Sequence, residues 1–469
     1  MMKCFSPGDL FWRRVVAPFI LFAIAVSILS EVATPTFAAG AHTSSVSHAM
    51  FKPMFRQHFK FLQAAATPPS DAQCRAKVGA PCYSPQEMRK AYGVTPLLNA
   101  GYTGKGQSIV IIDSFGSPTI LHDLKTFDAG YGLPDPPSLK IVAPLGTIAF
   151  DPNNSDMVGW AFETSLDVEW AHAMAPDASI VLMTSPVSET QGVQGMFEFL
   201  YLEKYAVSQN LGKIVSQSWG TTENTLFTPG GRQILNQFND FYKEASMEEG
   251  VTFFASAGDA GTGNPDINGN IYSFPTAGFP ASSPYVTAVG GTSLYATTTG
   301  TYQSETVWDE VAKSGGATGG GISQYFPEPS YQQKNLPNSV QKKLKGYRGL
   351  PDISWNADPY TSILVYISFL LKGTGYYFIG GTSEGSPQWA GVIADINQLA
   401  DHPLGFINSA LYSIGHSSKY ASNFHDITVG NNGYNGVPGY NATPGWDLAT
   451  SWGSPKVAIL AKELTEYIH

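Results

Sequence analysis

From Tyr83 onward the chain alternates short, wholly apolar runs with longer amphipathic segments, and that alternation limits the fold more than any other feature. The runs at 109–112, 178–182, 213–216, 251–254 and 285–289 read as strands. Helical patterns at about 158–173, 191–208 and 232–249 fall between them, the order expected of a parallel sheet covered on both faces. The predicted fold class is therefore α/β, a doubly wound, mostly parallel sheet with helices on both faces. Two later strands, 362–366 and 376–379, precede a Gly-Gly-Thr-Ser turn at Ser383, and the second feeds it directly. A length of 469 residues could hold two or three domains, but motifs spread from Asp113 to Asp447 favour one large one.

Charged side chains are scarce, 14 % of the residues, and the 37 acidic ones exceed the 27 basic ones to give a formal charge of −10. Such a balance argues against nucleic acid as a partner. It also leaves few ionised carboxylates whose protonation would destabilise the chain in acid. The start reads Lys3, Arg13 and Arg14, then an apolar stretch, then small residues at Ala38-Ala39. This is the layout of a signal peptide over 1–38, with an uncleaved anchor as the competing reading. Export predicts a secreted protein without stable membrane association once the leader is cleaved. Residues 39–80 read as a flexible segment, too short for a folded pro-domain, and 81–469 as the functional domain. Cys74 and Cys82 are candidates for one disulfide in an oxidising compartment, with free buried thiols as the alternative.

Ser383 lies between two glycines that follow a strand and a segment that continues as a helix. That setting gives a sharp turn, an exposed hydroxyl and a backbone N–H able to receive an oxyanion. Gly290-Gly291-Thr292-Ser293 repeats the four letters but runs on into β-branched and turn residues, so Ser383 is the better nucleophile. Glu163 and Asp167, four residues apart, lie ~40° apart on one helix face. A pair so close resists double ionisation and shares a proton, which equips one member as a base. His172 is ~180° from Glu163 and reads as a surface or packing histidine, and Glu169 is rotated away from both acids. Asp259 stands where an apolar strand runs out into a Gly-flanked turn, at the edge on which α/β sites assemble.

The Gly-Thr-Ser-x-x-x-Pro run ending at Pro387, the Glu163-x-x-x-Asp167 pair and the Ser256-Ala-Gly-Asp-Ala-Gly261 segment together resemble the sedolisins, serine-carboxyl peptidases of the subtilisin-like clan. The resemblance implies a secreted, acid-acting endopeptidase on a subtilisin-like fold, cutting proteins or peptides as a monomer. Ser383 would be the nucleophile, Glu163 the general base and acid, Asp167 its support, and protonated Asp259 an oxyanion donor. Asp113 and Trp219 would extend the hydrogen-bond network beyond the pair, and Trp219 reads equally as plain core. Asp426, Ile427, Thr443, Gly445 and Asp447 would hold one structural Ca²⁺, a hard cation suited to oxygen ligands from a bent loop. The alternative is a catalytically silent extracellular binding protein of the same fold. An esterase is a third reading, disfavoured by the lack of a Gly-x-Ser-x-Gly elbow paired with a suitable His.

Overall fold

The computed structural model describes residues 60–468 apart from 314 and 371. The chain divides into residues 1–48 and 49–469, and all the described residues belong to the second unit. The expected signal peptide and residues 39–59 of the expected flexible segment lie outside them.

The central sheet runs in the order Tyr302–Val307, Thr287–Ala296, Thr252–Ser256, Ile214–Gln217, Ser108–Ser114, Ser179–Ser185, Leu139–Val142, and Ile353–Asn356 also pairs with Thr287–Ala296. Every pairing is parallel except that of Tyr302–Val307. The apolar runs are apolar because both faces are covered. Ile109 and Ile111 enter one core with Trp170 and Trp389, while Val110 and Ile112 enter the other with Phe199 and Phe238. The helices Ser155–Met174 and Gly385–Ala400 supply the first layer. Met196–Ser208 and Pro229–Met247 supply the second.

The duplicate Gly-Gly-Thr-Ser motif lies within Thr287–Ala296 as ordinary strand. Ser383, by contrast, leaves the strand Gly375–Ile379 through a single 3₁₀ turn, Thr382–Glu384, into the helix Gly385–Ala400.

Residues 60–80 correct the expectation of a flexible segment. Lys60–Gln63 is a strand antiparallel to Gly375–Ile379, at the edge of a separate four-stranded sheet that also contains Ser362–Ile367 and Cys82–Tyr83. Asp71–Val78 is a helix capped by Ser70, and a disulfide joins Cys74 to Cys82. Leu62 and Cys74 are buried in the main core, and Lys77 Nζ donates to the Leu62 carbonyl at 2.8 Å. Periodicity missed these elements because the strand is four residues long and the helix carries only one buried apolar side chain, Cys74.

Candidate active site

The helix Ser155–Met174 starts where Asn154 accepts hydrogen bonds from the backbone N–H groups of Asp156 and Met157, satisfying two donors that a helix start otherwise leaves open. Its faces are nearly all covered, so Glu163, Asp167 and Glu169 are buried together with their apolar neighbours. A solvated acidic face is thereby excluded. Glu169 belongs to a different neighbourhood, accepting from the Tyr366 N–H at 3.0 Å. His172 is buried rather than superficial: its Nε2 lies 2.8 Å from the Pro134 carbonyl and 3.2 Å from Asp128 Oδ1.

The carboxylate helix packs directly on the Thr382–Glu384 turn. Ser218, just past the end of the strand Ile214–Gln217, joins the two. Its Oγ donates to Asp167 Oδ1 at 2.8 Å and lies 3.4 Å from the Ser383 carbonyl. Asp113 Oδ2 accepts from Thr164 Oγ1 at 2.9 Å, which places a third carboxyl against the same helix. Burial pushes the Asp167 carboxyl well above the usual range, Asp113 and Glu163 push it further by repulsion, and the Ser218 hydrogen bond opposes them. Burial likewise raises Asp113 to about 7, opposed by the Thr164 hydrogen bond. Asp113, Glu163 and Asp167 thus form one buried acidic group, larger than the pair read from the sequence.

Asp259 approaches Ser383 from the other side. Its Oδ1 accepts from both the N–H and the Oγ1 of Thr382, each at 2.8 Å, and Thr382 Oγ1 accepts from the Gly258 N–H at 3.0 Å. Burial raises Asp259 to about 7 against the pull of the Thr382 hydrogen bonds, so the carboxyl is neutral in acid and able to donate. Its Oδ2 has no partner among the described residues, and neither does Ser383 Oγ, which is buried where the sequence pattern predicts an exposed hydroxyl. The backbone before the serine has to be glycine. Gly381 has φ +123°, and a Cβ there would stand 2.6 Å from Asp259 Oδ2, while one on Gly380 would stand 2.6 Å from the Pro359 nitrogen.

Of its two readings, Trp219 takes the plain-core one. Its ring packs between Phe199 and Phe238, with centroids 4.7 and 6.0 Å away, and its indole N–H has no acceptor among the described residues. Edge-on and tilted packing against two aromatic rings accounts for the position. Ser218 and Thr382 are the groups that sequence reasoning missed. A polar residue at the carboxyl end of a buried strand was the available signal for Ser218.

In the C-terminal loop, Asp426 Oδ1 accepts from the Gly445 N–H at 3.1 Å and Asp447 Oδ2 from the Thr443 N–H at 3.0 Å. Asp426 and Asp447 therefore meet at one loop. Among the described residues the carbonyls of Ile427, Thr443 and Gly445 accept no hydrogen bond. The described residues contain no cluster of three or more His, Cys, Asp or Glu side chains suited to a metal. A site here would rest on two carboxylates and backbone carbonyls, a donor set that fits a hard cation.

A buried serine flanked by carboxyls, with no histidine among the hydrogen-bond partners of Asp167, Asp259 or Ser383 within the described residues, defines a serine-carboxyl arrangement on an α/β scaffold. Residues 143–410 match the subtilase family. The chain is similar to kumamolisin of Bacillus sp. (strain MN-32), 34 % identical over 384 residues that cover 81 % of this chain and 63 % of the relative. It is also similar to sedolisin of Pseudomonas sp. (strain 101), 33 % identical over 388 residues that cover 81 % and 60 %. It thus spans less than two thirds of the length of either relative. The solved structure of Pseudomonas sedolisin, a serine-carboxyl proteinase complexed with two molecules of pseudo-iodotyrostatin, superposes with a TM-score of 0.67 at 32 % identity, covering 82 % of this chain and 98 % of that one. The chain belongs to the sedolisin family of the subtilisin-like clan.

Proposed function

We propose that this protein is a secreted, acid-acting serine-carboxyl endopeptidase. The observation that carries the reading is the seating of the Ser383 turn between two acids, Asp167 reached through Ser218 and Asp259 reached through Thr382. In the proposed reaction Ser383 Oγ attacks the peptide carbonyl carbon and passes its proton to the Glu163 carboxylate. The carbonyl oxygen becomes an oxyanion that accepts hydrogen bonds from the Ser383 N–H and from protonated Asp259. Glu163 then gives the proton to the leaving amine, which breaks the C–N bond and leaves an acyl-enzyme. Water attacks that ester with Glu163 again as base, and Ser383 recovers its proton. Asp167 holds the second proton position of the pair, and Asp113, raised to about 7 and so neutral in acid, sets a third carboxyl against the same helix through Thr164.

An ionised Asp259 would repel the oxyanion, so activity needs it protonated, and it is raised only to about 7. Proteins or peptides in an acidic external medium are the corresponding substrates, acted on by a monomer. One Ca²⁺, held by Asp426 and Asp447 with the carbonyls of Ile427, Thr443 and Gly445, would fasten the C-terminal loop. No helix among the described residues is long and apolar enough to cross a membrane.

Digestion of an unstructured protein at about pH 4, with the fragments read by mass spectrometry, tests the reading. Internal cuts are expected, abolished by Ser383→Ala and by Glu163→Gln while both variants stay folded. Normal turnover by either variant removes its assigned role. Release of short peptides from the N-terminus alone would replace the endopeptidase assignment with an exopeptidase one.

A further inference from the structure

Glu384 follows the nucleophile directly and has no part in the reaction above, yet it is fully buried. Its Oε1 accepts a hydrogen bond from Asn356 Nδ2 at 3.0 Å. The Asn356 amide cannot be turned the other way, because its Oδ1 accepts from the Leu294 N–H at 2.9 Å and from Thr361 Oγ1 at 3.0 Å. Its Nδ2 also donates to the Thr361 carbonyl at 2.8 Å. Asn356 ends a strand of the central sheet, so the Asn356–Glu384 bond ties the 3₁₀ turn bearing Ser383 to that sheet. Behind the turn, Gln388 Nε2 donates to the Glu384 carbonyl at 3.0 Å.

The neutral amides of Asn356 and Gln388 are far too little for a buried carboxylate, which presents about four lone-pair sites, and Glu384 Oε2 has no hydrogen-bond partner among the described residues. Nearby charge makes ionisation still less favourable. The titratable groups on the surrounding elements are Asp156, Glu163, Asp167, Glu169 and His172 on the carboxylate helix, Asp395 on the serine helix, Asp358 beyond Asn356, Asp259 beyond Thr382, and Tyr92. All but His172 are acids. The strand Thr287–Ala296 carries only Tyr295, which is exposed. Burial raises the Glu384 carboxyl well above its usual range, opposed by Asn356 and Gln388 and reinforced by Asp358.

We propose that Glu384 is a positioning residue for the peptidase reaction, holding the Ser383 turn on the sheet as a neutral carboxylic acid and loosening it on ionisation. The inference rests on the peptidase reading but adds to it, because the upper pH limit acquires a structural cause separate from the acids that handle protons. A group raised in the folded state contributes stability that is complete below its unfolded value and is lost as pH rises through its folded value.

The test compares Glu384→Gln, which keeps the acceptor for Asn356 but cannot ionise, with Glu384→Ala, which removes the tie. In the active chain, Glu384→Ala should lower acid kcat on the order of 10²-fold through a displaced nucleophile, with KM little changed. Glu384→Gln should restore most of that rate and move the upper limit of the pH profile upward. In a Ser383→Ala background the melting temperature is followed from about pH 4 to about pH 8, and Glu384→Gln should lose less of it than the parent. If both variants match the parent in kcat, in pH profile and in the pH dependence of melting, the residue only fills space and the inference is overturned. The melting series involves no turnover. It decides the role of the carboxyl even if the parent proves to have no peptidase activity.

Discussion

Ser218 Oγ stands 2.8 Å from Asp167 Oδ1 and 3.4 Å from the carbonyl oxygen of Ser383, so one hydroxyl hydrogen serves either the acidic group or the nucleophile turn. Donation to Asp167 favours its ionised form. Ser218→Ala should therefore raise the Asp167 carboxyl further and shift the pH–rate profile upward, with kcat reduced about tenfold. Ser218→Thr should restore the hydroxyl and the profile. An unshifted profile for Ser218→Ala would show that the bond has no bearing on proton transfer.

The oxyanion role of Asp259 is tested by making the donor permanent. Asp259→Asn retains an N–H donor at every pH, so activity should persist above the parent's upper limit near the Asp259 value of about 7. Asp259→Ala should cost about 10²–10³ in kcat. Equal profiles for the parent and Asp259→Asn would mean that some other group sets the limit.

Stability itself should decline toward neutral pH. Asp113 and Asp259 are raised to about 7 by burial, and Glu169, Glu189, Glu203 and Asp395 are raised well above their usual values for the same reason. For each, the stabilising contribution is complete below the unfolded value near 4 and disappears as pH rises through the folded value. The inactive Ser383→Ala chain should melt higher at about pH 4 than at about pH 8. A melting temperature that rises across that interval would contradict these shifts.

Calcium binding at the C-terminal loop predicts that a chelator lowers the melting temperature and that added Ca²⁺ restores it. Asp447→Ala should abolish the restoration. That variant also removes the N–H acceptors for Thr443, Ala449 and Thr450, so the informative quantity is the loss of the calcium response and not the lower starting stability.

The N-terminal segment is expected to be a structural part of the catalytic domain. Reduction of the Cys74–Cys82 bridge, which closes a loop of sequence separation 8, should cost about 2–3 kcal/mol by the loop-entropy relation. Deletion of residues 60–80 should cost more and lower activity as well, because Lys60–Gln63 pairs with the strand that runs into the Ser383 turn. Full activity and unchanged melting after the deletion would make the segment dispensable.

Sequence alone determined the doubly wound sheet, since strands covered on both faces must be apolar throughout, and it distinguished Ser383 from its duplicate because residues 385–400 favour a helix where those after Ser293 favour a strand. The four-residue spacing of Glu163 and Asp167 likewise fixed their common face. Tertiary structure decided what periodicity cannot carry: that Asp113 joins the pair through Thr164, that Ser218 and Thr382 link the two acids to the nucleophile, and that Trp219 is core. Those contacts join residues 51 to 165 positions apart. The paired positions are set by the order and register of strands in the sheet, whereas local sequence specifies only conformation and which face is buried.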